Sequence, residues 1–450
     1  MAKLEDAHIS ELHALAAELG VPEYRLMRRP ELLDAVREAG GDRDVASVER
    51  TERKERERGD ELPNERRERA GRPGGERRGR QRSSQRRDRE GEREREDREE
   101  HDERDAEPVS GILDILPQRY GFLRLKGLES ADGDVYISAS QIRRCELRTG
   151  DEVAGPAREP RRGERHRALV HVDTVNGAEP TEDGRLDFDD LTPVPPTRRI
   201  PLSEGLEGEE ALLVRAADLL APLAYGQRVL VAAAPGSGRT TLLRGLAHGI
   251  EAVEETELIV LLVDERPEEA TRWRRAFPDA RLAIATAEMS GAEQGQIAEI
   301  ALARAKRIAE SGSDAVLIVD SLSRLAAARG RVDSAKALFG AGRETEEDGT
   351  GSLTVIATVL GEDEVADAIA TTESATLALD PELAAAGVFP ALDPARSRVA
   401  GEDELLESTE LETARRLRGL LADLRPTDAA TMLRERIEGT ASNAELLASA

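Results

Sequence analysis

A glycine-rich turn between an apolar run and a helical pattern is the segment best suited to bind a charged ligand. Residues 228–233 read Arg-Val-Leu-Val-Ala-Ala, and residues 234–241 read Ala-Pro-Gly-Ser-Gly-Arg-Thr-Thr. When a strand enters such a turn and a helix leaves it, backbone N–H groups and the helix N-terminus converge where phosphate can bind. The residues predicted to bind a nucleotide are Pro235, Gly236, Ser237, Gly238, Arg239, Thr240 and Thr241.

The turn departs from the usual phosphate-binding pattern GxxxxGK[ST] at two positions. Gly238 and Thr240 match the pattern, but Ala233 replaces its first glycine and Arg239 replaces its lysine. Arginine keeps the positive charge, but its planar fork is wider than a compact ammonium group. We therefore expect nucleotide binding to tolerate this change better than nucleotide hydrolysis.

Polar residues stand at the ends of three later apolar runs. They are Glu265, Asp320 and Thr358. Carboxylates at such strand ends can orient an attacking water molecule and hold the hydration shell of Mg²⁺. Each of these segments alone would be an ordinary strand terminus, and the glycine-rich turn alone could be a plain strand-to-helix turn. Their order along the chain predicts a site for ATP and Mg²⁺.

Apolar runs alternate with amphipathic patterns beyond residue 200. Continuous apolar strands flanked by helices are typical of a largely parallel sheet that is covered on both faces. Residues 201–450 are therefore predicted to form a RecA-like α/β domain of the P-loop NTPase type. The predicted strands are 228–233, 258–263, 315–319 and 353–358.

Residues 108–178 instead contain five short β-rich runs that are separated by Gly and Asp turns. This pattern is typical of a small Greek-key barrel of the OB or cold-shock type. Such barrels bind single-stranded nucleic acid when aromatic side chains stack on bases beside a basic group. The predicted strands are 109–113, 120–124, 134–138, 152–154 and 168–172.

The remaining segments are predicted to be a helical bundle and two connectors. Apolar residues at helical spacing predict a small bundle over 1–40. Residues 41–107 are rich in Arg and Glu and almost free of apolar residues, so they are predicted to form a disordered charged linker. The run 71–80 within it either contacts RNA nonspecifically or is only solvated. Residues 179–200 form the second connector.

Charge and composition restrict the kinds of site to be expected. The net charge is −26, so any RNA site must be a local basic or aromatic patch. Cys145 is the single cysteine, and the six histidines show no metal-ligand spacing, which argues against a disulfide or a structural zinc site. No apolar run approaches the roughly 18 residues that span a bilayer, so we expect a cytoplasmic protein.

Five stretches of the sequence have a distinctive pattern. They are Leu-Leu-Val-Asp-Glu-Arg-Pro-Glu-Glu at 261–269, Leu-Ile-Val-Asp-Ser-Leu-Ser-Arg-Leu at 317–325, Phe-Gly-Ala-Gly-Arg at 339–343, Val-Phe-Pro-Ala-Leu-Asp at 388–393 and Tyr-Gly-Phe-Leu-Arg at 120–124. These stretches resemble the bacterial transcription termination factor Rho family. The resemblance covers nearly the whole chain outside 41–107, and that segment itself resembles the charged insertion of actinobacterial members. It implies an RNA-dependent ATPase and helicase that releases transcripts, forms a homohexameric ring on single-stranded RNA and acts on the RNA polymerase complex.

The resemblance also implies a role for each site residue. Glu265 would be the catalytic carboxylate, Thr240 and Asp320 would bind Mg²⁺, and Phe389 would stack on adenine. The remaining catalytic residues implied are Arg239, Arg266 and Arg324, of which the last two would sense phosphate or couple neighbouring subunits. In the barrel, the residues implied to stack on RNA bases are Tyr120, Phe122 and Tyr136, and those implied to make polar contacts are Arg124, Asp134 and Glu164.

Three departures from the family pattern concern the motor. Only 325–337 separates Arg324 from Leu338, where the family has a long segment with an RNA-gripping loop. The acidic stretch 361–368 replaces a second channel loop that is basic in the family. The family's arginine finger would fall near 400–401, where no arginine stands, so Arg396 or Arg398 would have to replace it.

Two functions therefore stay open at this point. One is a Rho-type helicase that turns over ATP. The other is a non-motor paralogue that binds RNA and ATP with little or no hydrolysis or translocation. A rotary ATP synthase catalytic subunit has a similar layout, but the roughly fifty residues after Arg398 are too few for the C-terminal helical domain of that family.

Overall fold

The computed structural model describes residues 106–180, 184–202, 205–361 and 363–449, together with Ala35. The helical bundle predicted at 1–40 and almost all of the linker predicted at 41–107 lie outside the described residues. The described residues from 106 onward belong to one compact unit. None of the helices in this part of the chain combines the length and the apolarity needed to cross a membrane.

The first domain of the described chain is a small β-barrel. Its pairing order is β1-β2-β3-β5-β4, and β4 pairs back onto β1 and closes the barrel, while β6 pairs along β4. A closed five-stranded barrel of this kind is the OB type, which confirms the predicted barrel. The elements are β1 (Glu107–Ile115), β2 (Gly121–Arg124), β3 (Val135–Ile137), α1 (Ala139–Arg144), β4 (Glu152–Arg158), β5 (Ala168–Leu169) and β6 (Thr174–Val175).

Alternating apolar side chains fill this barrel. Leu113, Leu123 and Val153 are fully buried and belong to one hydrophobic cluster. The run predicted as a strand at 168–172 pairs only over β5, and the sequence pattern does not predict β6. Both strands contain two residues, which is too short to produce a period-two pattern.

A seven-stranded sheet forms the centre of the second domain. The strands that follow the barrel are β7 (Pro193–Val194), β8 (Arg228–Ala233), β9 (Thr256–Glu265), β10 (Arg281–Thr286), β11 (Asp314–Asp320), β12 (Glu344–Thr345), β13 (Leu353–Val359), β14 (Ala375–Leu379) and β15 (Arg398–Val399). The sheet order is β10-β9-β11-β13-β8-β14-β15, and only the pair β14–β15 is antiparallel. The four predicted strands are present, and the sheet adds β10, β14 and β15.

Helices cover both faces of this sheet. Val260 of β9 packs in the same cluster as Trp273, whereas the next residue, Leu261, packs in the cluster that contains Ile300. Burial on both faces explains why the strands read as continuous apolar runs, and it confirms the predicted α/β domain. The helices are α2 (Gly208–Leu220), α3 (Arg239–Glu251), α4 (Pro267–Ala276), α5 (Gly291–Glu310), α6 (Leu322–Arg329), α7 (Val332–Gly340), α8 (Glu364–Ile369), α9 (Pro381–Ala385), α10 (Glu402–Leu405), α11 (Ser408–Ala422), α12 (Pro426–Glu438) and α13 (Asn443–Ser449).

The barrel packs against the long helix α5 of the second domain. Gly150 lies so close to this helix that a Cβ atom built on it would be 2.4 Å from the backbone carbon of Ala303. Arg304 of α5 donates from Nη2 to Glu152 Oε2 at 2.9 Å and from Nη1 to Asn176 Oδ1 at 3.0 Å. A close backbone contact and charged hydrogen bonds therefore fix the barrel on the second domain.

Candidate nucleotide and RNA sites

The glycine-rich turn connects β8 to α3, as the sequence predicts. Gly238 precedes the first residue of α3 with φ of 95°, a left-handed conformation that glycine adopts easily. Ser237 closes the turn by donating from Oγ to the carbonyl oxygen of Ala234 at 2.7 Å. The N-cap residue Gly238 has no side chain that could cap the N-terminus of α3, so the first N–H groups of the helix can bind an anion such as phosphate.

A β-bulge at the end of β9 turns Glu265 into the protein. Val263 pairs with Ala285 and Glu265 pairs with Thr286, so Asp264 is an extra residue, and its φ is 52°. A bulge of this kind re-aims the side chains on either side of it. Asp264 is exposed, whereas Glu265 is only 7% exposed.

Arg324 forms an ion pair with Glu265. Its Nη1 donates to Glu265 Oε2 at 2.7 Å, and the backbone N–H of Arg266 donates to Glu265 Oε1 at 3.0 Å. Arg324 stands in the first turn of α6, directly after β11, and β11 is the sheet neighbour of β9. Both oxygens of the predicted catalytic carboxylate are therefore oriented from within this chain.

Asp320 at the end of β11 forms the second ion pair of the site. Arg239 donates from Nε to Asp320 Oδ2 at 3.1 Å, and Thr358 donates from Oγ1 to Asp320 Oδ1 at 3.1 Å. Burial raises the pKa of the Asp320 carboxyl above its ordinary value, although the guanidinium groups of Arg239 and Arg324 act in the opposite direction. The turn, β11 and β13 thus meet at this carboxylate.

The donor set around Asp320 does not fit a resident Mg²⁺ in this arrangement. Mg²⁺ prefers oxygen ligands and keeps several bound waters, which a nearby carboxylate normally accepts. Here both oxygens of Asp320 already accept hydrogen bonds from Arg239 and Thr358. In the described part of the chain, no three His, Cys, Asp or Glu side chains converge to hold a metal ion. The metal role predicted for Thr240 and Asp320 would require the ion pair with Arg239 to open.

The other residues predicted for nucleotide binding or subunit coupling are less constrained. Phe389 is half-buried against the core cluster that contains Leu392, and its contact with adenine stays a prediction. Arg266 is exposed at the start of α4. Arg396 and Arg398 are both exposed, and Arg398 donates from Nη2 to Glu373 Oε1 at 2.9 Å. Which arginine acts across a subunit boundary stays a prediction.

The two segments that differ from the family's channel loops are short in this structure. Only Gly330 and Arg331 join α6 to α7, so no long loop is present between these helices. Helix α8 carries Glu364 and Asp367, and the side chain of Asp363 caps its N-terminus. A two-residue connection and an acidic helix therefore stand where the resemblance implies RNA-gripping loops.

The barrel brings the three predicted aromatic residues together. The ring centroids of Tyr120 and Tyr136 are 5.6 Å apart, and those of Phe122 and Tyr136 are 6.1 Å apart. His166, which the sequence reasoning missed, lies 5.0 Å from Phe122. The signal that could have revealed it is a flat ring in the basic run Arg-His-Arg at 165–167. These four half-buried rings form a stacking platform on the barrel.

A cleft of about 620 Å³ adjoins this platform. Its lining includes Tyr136, Gln141, Arg144, Glu164, Arg165 and His166. Arg158 donates to Glu164 Oε2 at 2.7 Å, and this hydrogen bond is the main cause that lowers the pKa of Glu164 to about 2. The cleft thus offers rings, guanidinium donors and one ionised carboxylate, which together can bind the face and the polar edge of a nucleobase.

Arg124 lies beside the platform, with its guanidinium carbon 5.9 Å from the centroid of the Phe122 ring, and it pairs with Asp134. Arg124 donates from Nη1 to Asp134 Oδ2 at 2.5 Å and also pairs with the buried Asp114. The exposed fractions of Arg124 and Asp134 are only 8% and 2%, but Nε of Arg124 and Oδ1 of Asp134 have no hydrogen-bond partner in the described part of the chain. This pair supports the strand that carries Phe122, and its direct contact with RNA stays a prediction.

Comparison with protein-family models identifies three segments of the chain. Residues 109–181 match the RNA-binding domain of Rho termination factor, and residues 3–44 match the N-terminal domain of Rho termination factor. Residues 214–338 match the nucleotide-binding domain of the ATP synthase alpha/beta family. The first and third matches coincide with the barrel and with the part of the sheet that carries the glycine-rich turn.

Two curated relatives with the same name cover most of this chain. A protein of Rhodopirellula baltica named transcription termination factor Rho is 36% identical over 369 residues, which cover 75% of this chain and 71% of that protein. The protein of the same name from Chromobacterium violaceum is 37% identical over 360 residues, covering 74% and 85%. A solved ATPase from a type III secretion system aligns with a TM-score of 0.48 at 19% identity, covering 62% of this chain and 93% of that one.

Proposed function

Because this chain belongs to the transcription termination factor Rho family, we propose that it binds single-stranded RNA on the barrel, binds and turns over ATP at the glycine-rich turn, and terminates transcription by releasing the transcript. The observation that carries the nucleotide site is the contact of Arg239, in the turn, with Asp320 at the end of β11. That contact brings together the phosphate-binding turn and an acid 81 positions away. The aromatic platform supports the RNA site.

Each side chain of the nucleotide site has a defined task in this proposal. The triphosphate lies against the N–H groups at the start of α3, where the helix dipole favours negative charge. Glu265 orients the attacking water, and Arg324 holds that carboxylate in place until phosphate charge develops beside it. If Mg²⁺ took part, Thr240 and Asp320 would be the residues to hold it, and it would neutralise phosphate charge. That role would require Arg239 to leave Asp320, to which it is paired in this structure.

We further propose that six copies of this chain form a ring in the cytoplasm and act on the RNA polymerase complex. Ring assembly would let Arg396 or Arg398 of one subunit complete the nucleotide site of its neighbour. Arg396 is the freer candidate, because Arg398 is already paired with Glu373. Phe389 would cover the adenine of the bound nucleotide.

A second candidate function is a non-motor member of the family that binds RNA and nucleotide without translocating. Three observations favour it. The two-residue link at 330–331 leaves no long loop to reach RNA, and α8 presents acidic side chains that repel the phosphate backbone. The Arg239–Asp320 ion pair adds an obstacle to hydrolysis.

ATP turnover by the full chain, with and without pyrimidine-rich RNA, distinguishes the two functions. For the motor, RNA should raise turnover, and Glu265→Gln should abolish turnover while ATP still binds. Glu268→Gln, which changes an exposed acid on α4, is the matched control and should keep full turnover. Binding of ATP and RNA without turnover would support the non-motor function. Failure to bind either ligand would overturn both.

A further inference from the structure

Arg239 is bound to Asp320 through only one of its three nitrogens. Nε donates to Asp320 Oδ2 at 3.1 Å, and Nη1 and Nη2 have no hydrogen bond within the described residues. The Arg239 side chain is 15% exposed, and that of Asp320 is 2% exposed. The carboxylate therefore fixes the orientation of the guanidinium and leaves its two terminal nitrogens available.

A guanidinium and an ammonium differ in what they can do at this position. Arginine presents five N–H donors in a rigid fork, so it can bind a carboxylate through Nε and phosphate oxygens through Nη1 and Nη2 at the same time. A lysine has a single nitrogen on a flexible stem and acts as a point charge. At the end of the phosphate-binding turn, Arg239 can thus link Asp320 to a triphosphate directly.

The same geometry disfavours the binding of a divalent cation beside Asp320. The carboxylate that would accept the waters of a hydrated cation accepts N–H and O–H donors instead, from Arg239 and Thr358. A cation placed beside Asp320 would also be repelled by the guanidinium. Glu265, the other acid of the site, is neutralised by Arg324 in the same way.

We propose that Arg239 performs the role of the divalent cation in this site, so that the protein binds a nucleoside triphosphate without Mg²⁺. The proposal rests on the nucleotide site of the proposed function and specifies how that site meets the phosphate charge. The guanidinium and the N–H groups of α3 supply the positive potential, and Asp320 acts as a positioning residue for Arg239. A metal-free site of this kind favours binding over hydrolysis.

Equilibrium binding of a fluorescent ATP analogue, N-methylanthraniloyl-ATP, to the full chain tests this proposal. The dissociation constant is measured in a buffer with excess Mg²⁺ and in one with excess EDTA. We expect binding in EDTA to be as tight as binding in Mg²⁺ or tighter. In Arg239→Lys we expect binding in EDTA to become weaker than in Mg²⁺ by roughly tenfold, because Asp320 is then free to hold a hydrated cation.

Two further variants make the test specific. Arg244→Lys makes the same exchange on the same helix, at a residue that lies 3.8 Å from Glu269, and should leave the ratio of the two constants unchanged. Asp320→Asn, which serves also if Arg239→Lys does not fold, should weaken binding equally in both buffers because it loosens Arg239. If Asp320 instead held Mg²⁺, this variant would weaken binding only in the Mg²⁺ buffer, which would overturn the proposal.

The wild-type result separates this inference from the proposed function. Binding in Mg²⁺ that is lost in EDTA contradicts metal-free binding but keeps the nucleotide site. Absence of binding in both buffers removes the nucleotide site itself. Tight binding in both buffers, together with the expected response of Arg239→Lys, supports the inference.

Discussion

Gln296 donates from Nε2 to Asp114 Oδ1 at 2.7 Å, and this hydrogen bond joins helix α5 of the ATPase-type domain to strand β1 of the barrel. Asp114 is fully buried and also pairs with Arg124, on the strand that carries Phe122. One carboxylate therefore connects the strand that carries Phe122 to the long helix that packs on the sheet of the second domain. We expect this contact to couple RNA binding on the barrel to the second domain.

We expect Gln296→Leu to destabilise the protein and to weaken the response of ATP turnover to RNA. Loss of a hydrogen bond to a buried charged group costs about 1.5–3 kcal/mol. Urea unfolding followed by the fluorescence of Trp273, the single tryptophan and a fully buried one, measures the change. Glu299→Gln, on the exposed side of the same helix, is the control and should change the free energy by under about 1 kcal/mol. Equal effects would contradict the role of Asp114.

Removal of Arg324 should be costly because it leaves Glu265 buried without its cation. Breaking one partner of a buried ion pair costs about 3–5 kcal/mol, and partial exposure of Arg324 places the expected loss near the lower end. The double variant Arg324→Ala/Glu265→Gln should recover much of that loss in the same unfolding measurement. Arg272→Ala, which breaks an exposed pair on α4, should cost less than about 1 kcal/mol.

The aromatic platform should account for RNA affinity. Tyr136→Ala removes a stacking surface worth about 1–3 kcal/mol per base, so binding of a labelled pyrimidine-rich RNA should weaken by roughly tenfold. Tyr136→Phe keeps the ring and should bind nearly as well as the wild type. His166→Ala should weaken binding in the same direction. Unchanged fluorescence anisotropy titrations for both alanine variants would exclude the platform as the RNA site.

Glu164 should titrate far below an ordinary glutamate. Its pKa is lowered from 4.5 to about 2, mainly by the hydrogen bond from Arg158. Because the folded value lies below the ordinary one, the preference for the ionised folded form is present above about pH 4.5 and is lost as the pH falls toward 2. Carboxyl NMR titration should give a pKa of about 2 for Glu164 in the wild type and a higher pKa in Arg158→Gln. Arg161→Gln keeps the backbone N–H that donates to Glu164, so this variant should raise the pKa of Glu164 less.

Gly150 should not tolerate a side chain, because the barrel and α5 approach each other there. A left-handed φ costs any other residue about 1–2 kcal/mol, and the contact of the new Cβ with the Ala303 backbone adds an overpacking cost of about 1–3 kcal/mol. Gly163→Ala is the matched control, since its φ is similar but nothing lies within 4 Å of its Cβ. The midpoint temperature of thermal unfolding should therefore fall further for Gly150→Ala than for Gly163→Ala. Equal losses would show that this domain contact is loose.

Local sequence determined much of the fold. The run 228–233 is a strand over those same residues, and the turn after it leads directly into a helix, because apolar continuity and glycine placement act over a few neighbouring positions. The rings of Tyr120 and Phe122 both lie near that of Tyr136, and their contact with RNA stays a prediction. The sequence reasoning overlooked β10, β14 and β15, although β10 and β14 carry short apolar stretches. A short apolar stretch fits a strand or a buried helix equally well.

Only the tertiary structure decided which charges neutralise each other. Arg239 meets Asp320 across 81 positions and Arg324 meets Glu265 across 59, because the order β9-β11-β13-β8 brings their strand ends together. The sequence placed these acids at strand ends but could not show that both would be paired with arginines. It also could not show that Asp134 is buried and paired with Arg124. Ion pairing and burial depend on neighbours in space, and the strand order that creates those neighbours is a property of the whole sheet.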